Sequence, residues 1–122
     1  MACTVVVLAL GALPAFACMS DQSSQEIAEG RLSIASRRDA AGRPEKPYIL
    51  TLAKPACLDA KDPEESVKST RTIHIFSSQD KVHAQIAKFV GKTVLVRGQP
   101  FAALTAHHHA PIVMDISDID QI

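Results

Sequence analysis

The order of β-patterned segments constrains this chain most: three, then a single amphipathic helical stretch, then two more. Residues 30–36 alternate, with Leu32 and Ile34 on one face and Arg31 and Ser33 on the other, the period of a half-buried strand. Tyr48 to Leu52, Thr72 to Phe76, Thr93 to Arg97 and residues 111–117 are further runs of β-favouring residues, the last with Ile112, Met114 and Ile116 facing inward. Between the third and fourth runs, Val82, Ile86 and Phe89 share one helical face behind Ser77 or Ser78 as N-cap and Asp80 in the first turn. Gly91 stops the helix. Gly98 marks a bend or bulge after which residues 101–103 continue the fourth strand.

The connections are legible by their breakers. Ser20 to Glu26 reads as a polar tether, Arg37 to Pro47 carries Gly42, Pro44 and Pro47 among charges, and Asp59 to Lys68 carries Pro63. Three strands, a helix and two strands is the order of a five-stranded OB barrel, in which the helix plugs one end. The expectation is therefore one mainly-β, OB-like domain (β-β-β-α-β-β) over residues 18–122, with a six-stranded sandwich or an α+β roll as the alternative. Apolar residues make up 47% of the chain and aromatics 4%, so such a core is built from Val, Ile, Leu and Ala.

Residues 4–13 form an apolar run too short to span a bilayer as a helix, followed by Ala15, Phe16 and Ala17. This pattern reads as a signal peptide over residues 1–17, cleaved before Cys18, with periodic placement in a buried strand as the other reading. Phe16, two residues before Cys18, argues against lipidation there. The expected location is periplasmic or secreted, with no transmembrane segment after the leader is removed. Loss of Cys3 with the leader leaves Cys18 and Cys57, a pair expected to form a disulfide in an oxidising compartment. Closing a loop of about 40 residues stabilises a fold by roughly 4 kcal/mol on a chain-entropy argument.

Thirteen Lys and Arg balance thirteen Asp and Glu, so no global field favours nucleic acid. Tyr48, Phe76, Phe89 and Phe101 are the only aromatics of the mature chain, too few for a stacking platform. Arg31, Arg37, Arg38, Arg43 and Lys46 nevertheless crowd one stretch, and Asp115, Asp118 and Asp120 another. No nucleophile elbow, glycine-rich phosphate loop or paired-carboxylate spacing is present, and catalysis is not expected.

His107, His108 and His109 are the most unusual feature. On extended backbone His107 and His109 project to one side and His108 to the other. Two neutral imidazoles so placed are candidate ligands for Zn²⁺, Cu²⁺ or Ni²⁺ once a further ligand approaches, with His74, His83 or the C-terminal acidic residues as sources. The candidate metal set is His107, His109 and His74, although no resident cofactor is required. Alternatively the rings cap a hairpin, hydrogen-bond to backbone carbonyls and titrate near neutral pH, or they touch a partner directly. In an OB barrel the loops joining strands one and two and strands four and five flank one ligand face. The candidate binding residues are thus Arg37, Arg38 and Arg43 on one loop and His107, His108 and His109 on the other.

The segment from Gly91 to Ile119 resembles the bacterial domain-of-unknown-function family 4431, through residues 91–98, Phe101, and Thr105 to His109 followed by an aliphatic strand. The similarity extends over most of the mature chain, including an early cysteine and a second after Leu52. The resemblance implies a small exported β domain and supplies no mechanism. Three functions follow as expectations: an envelope binding module for a protein or a small anionic or saccharide ligand, a periplasmic transition-metal-binding protein, and an inhibitor or immunity protein acting on an envelope enzyme.

Overall fold

The computed structural model describes residues 17–122. The signal peptide inferred for residues 1–17, with Cys3, lies outside the described residues except for Ala17, which is exposed. Among the described residues no helix is long and apolar enough to cross a membrane.

Among the described residues, eight strands and one α-helix follow in order: β1 (Met19–Ser20), β2 (Glu26–Ile34), β3 (Arg37–Arg38), β4 (Pro44–Glu45), β5 (Tyr48–Asp59), β6 (Val67–Phe76), α1 (Asp80–Ile86), β7 (Thr93–Ala102) and β8 (Ile112–Gln121). Five of them close a barrel. Antiparallel pairs join β2 to β5, β5 to β6, β7 to β8 and β2 to β7, and a parallel pair between β6 and β8 completes the ring. This is the expected OB-like arrangement, with α1 between the third and fourth barrel strands.

The core is aliphatic, as the composition demands. Leu32, Leu50, Ile73, Ile75, Val94, Val96, Ile112 and Met114 are fully buried, and Ile86 joins them from the helix. Val82 and Phe89 pack beside it, half-buried. Cys18 and Cys57 form the expected disulfide, their Cα atoms 4.7 Å apart. It fastens β1 alongside the end of β5.

Several boundaries differ from expectation. The first barrel strand begins at Glu26 rather than Gly30, so the supposed tether contributes both β1 and the start of β2. Ile34 is not inward with Leu32 but 47% exposed. The reason is register: pairing of β2 with β7 stops at Arg31 opposite Thr93, so Ile34 extends past the barrel wall beside Tyr48 alone. Strand β5 continues through Pro55 with register irregularities between Thr51 and Leu58, and β8 runs on to Gln121.

Ser77 is not the helix cap; Gln79 holds that position. Ser77 is instead buried, donating to the Ile116 carbonyl at 2.6 Å and accepting from the Gln79 backbone N–H at 3.1 Å. Gly98 does mark a bulge: Arg97 faces Asp118 while Gly98 faces Ile116, leaving Ser117 as the extra residue.

Candidate binding rim

Register alone brings the two loops together. Ile34 pairs with Tyr48, Tyr48 with Ile75, Ile73 with Ile112, and Ile112 with Ala102. The segment between β2 and β5 and the segment between β7 and β8 therefore leave the barrel at the same end.

The first segment is no plain loop. Residues β3 and β4 pair as a short hairpin, Arg37 with Glu45 and Arg38 with Pro44. Asp39 builds its turn: Oδ1 accepts from the backbone N–H groups of Ala41 (2.9 Å) and Arg43 (2.8 Å), and Oδ2 pairs with Arg43 Nε at 3.0 Å. A short polar side chain that bonds backbone two residues on is suited to such a turn, and Gly42 supplies the positive φ of 81°. The Arg43 backbone N–H, first among its contacts, holds the Asp39 carboxyl below the usual range. That side chain is 6% exposed.

The histidine loop turns at Ala106 and His107 instead of running extended. Its outer rings still separate from the middle one. His107 Nδ1 donates to Glu45 Oε2 at 2.5 Å and His109 Nε2 donates to Glu45 Oε1 at 2.7 Å, so one carboxylate clasps both. These two hydrogen bonds, His109's ahead of His107's, hold the Glu45 carboxyl below the ordinary value. His109 is buried in the clasp, its side chain 8% exposed, whereas that of His107 is 62% exposed.

His108 faces back into its own loop, where Nδ1 accepts from the backbone N–H groups of Leu104 (2.9 Å) and Thr105 (3.3 Å). Burial, followed by the neighbouring His107 and His109, lowers its pKa. Phe101 meets the ring edge-on, with centroids 5.4 Å apart. His74, from β6, accepts the His109 backbone N–H on Nδ1 at 3.2 Å. Burial first, then His109 and His108, pushes its pKa down to about 4. Both rings thus present Nδ1 as an acceptor, capping backbone donors rather than carbonyls.

The other sequence candidates fall as follows. Arg37 and Arg38 are exposed and bond only to the carbonyls of Ser36 and Gly42. With Ser36, Pro44, Glu45 and Lys46 they line a groove of about 300 Å³ beside the clasp. Arg43 is turned onto Asp39. His83 sits in the last turn of α1, accepting from the Ser77 backbone N–H, and Asp115 accepts from that of Ser78; neither joins the histidine loop.

Asp39, Glu45 and His107 offer ligand-type atoms all within 4.8 Å of one another. Sequence reasoning found the histidines and missed both carboxylates, because an arginine-rich loop reads as a basic rim. The available signal was that the loop facing the histidines holds two acidic residues, Asp39 and Glu45. A larger groove of about 410 Å³ beside the disulfide is lined by Met19, Ile27, Leu52, Pro55 and Cys57, and lies away from this chemistry.

No curated protein and no solved structure matches the chain significantly. Residues 72–120, from β6 through the helix, β7 and the histidine loop into β8, match the model of the family described as Domain of unknown function (DUF4431), the family that the sequence resembles.

Proposed function

We propose that the chain is an exported binding module, not an enzyme, and that its ligand is an anionic group carried by a protein or saccharide of the cell envelope. The observation that supports this reading is the junction of two loops at one barrel end, with Glu45 bonded to both His107 and His109. OB barrels take ligands on the face that these loops flank. Two guanidinium groups, those of Arg37 and Arg38, stand at the groove without a carboxylate partner among the described residues. Guanidinium forks match carboxylate, sulfate or phosphate oxygens in pairs. The disulfide fits export to an oxidising compartment.

Pull-down from an envelope extract with the disulfide-bonded protein tests the reading. A partner should be recovered by the native chain and by K68E, whose exposed lysine lies at the far end of β6. It should be lost when R37E and R38E are combined with His107→Ala. Recovery that is unaffected by this triple change overturns the proposed face.

A further inference from the structure

The clasp itself has the composition of a metal centre. Two imidazole nitrogens, His107 Nδ1 and His109 Nε2, converge on one carboxylate at 2.5 and 2.7 Å, and Asp39 stands close enough to join Glu45 and His107. We infer that this cluster is a binding site for a borderline divalent ion of the Zn²⁺ kind, held by His107 Nδ1, His109 Nε2, Glu45 and Asp39. The inference stands on the clasp alone and does not require the anionic-partner reading.

The chemistry of the donors selects the class of ion. Two imidazoles with two carboxylates suit Zn²⁺, Cu²⁺ or Ni²⁺ and disfavour Ca²⁺ and Mg²⁺, which prefer all-oxygen shells. Without an ion, each ring must spend a proton to bond Glu45. As an ion takes the lone pair, a neutral ring moves that proton to its other nitrogen, so the same groups are drawn together without a net loss of protons. Ligands about 2 Å from a tetrahedral ion lie roughly 3.3 Å apart, so the two imidazole–carboxylate contacts need to open by less than about 1 Å, while the Asp39, Glu45 and His107 atoms, spread over as much as 4.8 Å, need to draw in by up to about 1.5 Å, with His109 reaching them through Glu45. His107, largely exposed, is free to make that adjustment.

The supporting contacts are those a ligand set needs. Backbone N–H groups of Ala41 and Arg43 and the Arg43 guanidinium fix the Asp39 carboxylate. The His109 backbone is tied to His74, and the His107 backbone N–H donates to Thr105 Oγ1 at 3.2 Å. Such outer contacts orient ligands before the ion arrives. They also exclude His74 as a ligand, because its Nδ1 already accepts the His109 N–H and the neutral ring then carries its proton on Nε2.

Calorimetric titration of the chelator-treated, disulfide-bonded protein with Zn²⁺ tests the assignment. One ion per chain should bind at micromolar concentration or tighter. E45Q and H107Q should each weaken binding about tenfold or more, while His83→Gln, on α1 and away from the histidine loop, leaves it within about threefold. H107Q guards against a folding artefact, since its ring is largely in solvent and its circular dichroism should match the native chain. Absence of heat at millimolar Zn²⁺, affinity unchanged in both E45Q and H107Q, or loss equal in His83→Gln would each overturn the site.

Discussion

At the scale of single residues, the fold is most exacting where a side chain is missing. A Cβ on Gly98 would lie 2.2 Å from the Asp115 carbonyl oxygen and 2.6 Å from Ile116 Cα, both backbone atoms of the paired strand. Neither can rotate away, so the barrel must part at the bulge. Gly98→Ala should cost about 2–4 kcal/mol in urea denaturation, in the range of severe overpacking; a loss below about 0.5 kcal/mol would show that the strands are not in such close contact. His74 carries a different kind of constraint. Its folded pKa is depressed from 6.5 to about 4, so the fold disfavours the charged ring. The stability this confers is complete above pH 6.5 and is lost as pH falls from 6.5 through 4. For a half-exposed ring screened by solvent the loss is on the order of 1–2 kcal/mol. Denaturation curves in chelator across that window should fall less steeply for His74→Gln than for the native chain. Equal slopes would assign the acid sensitivity to other groups.

Elements were legible wherever their signal is local. Tyr48 to Leu52, Thr72 to Phe76 and Thr93 to Arg97 lie inside β5, β6 and β7 because aliphatic and β-branched residues there alternate or run together. Their ends were not legible. Glu26 to Glu29 and residues 53–59 become strand only because partners stand beside them, Gly98 to Leu95 for the first and Met19, Thr70 and Val67 for the second. Pro55, a breaker in isolation, is accommodated by the irregular register around it. Cys18 and Cys57 were paired from their number and compartment, and the bond has a clear local task. β1 is two residues long, and beyond its pairing with Leu58 and Asp59 it is held by Asp21, which accepts from Lys61 N and, through its carbonyl, from Gln99 Nε2. Reduction should therefore lower the unfolding free energy by up to about 4 kcal/mol and release β1 first. Hydrogen exchange of residues 19–21 should rise on reduction while Val94 and Val96 stay protected; concerted loss at all of these sites would mean that the bond supports the whole barrel.

For the molecule as a whole, closure explains both what the sequence revealed of the site and what it hid. That two distant loops share a rim follows from strand order, which periodicity gives. That Glu45, rather than a basic residue, meets the histidines depends on hairpin register between Arg37 and Glu45, which rests on the Asp39 turn and on contacts across 62 and 64 residues of chain. Such pairings leave no local trace. They also set the rim apart energetically from the barrel it stands on. The barrel strands have no free edge, being bonded on both sides around the ring, whereas the β3–β4 hairpin and the histidine loop are each joined to the other chiefly through one carboxylate. Local opening of that end should then occur without global unfolding. E45Q removes the charge that binds the two rings and keeps the shape of the side chain. Amide exchange in residues 37–45 and 105–109 should rise several-fold together, with β2, β7 and β8 unchanged. If only one loop responds, the clasp is not what couples them, and the rim is two independent loops that happen to share an end of the barrel.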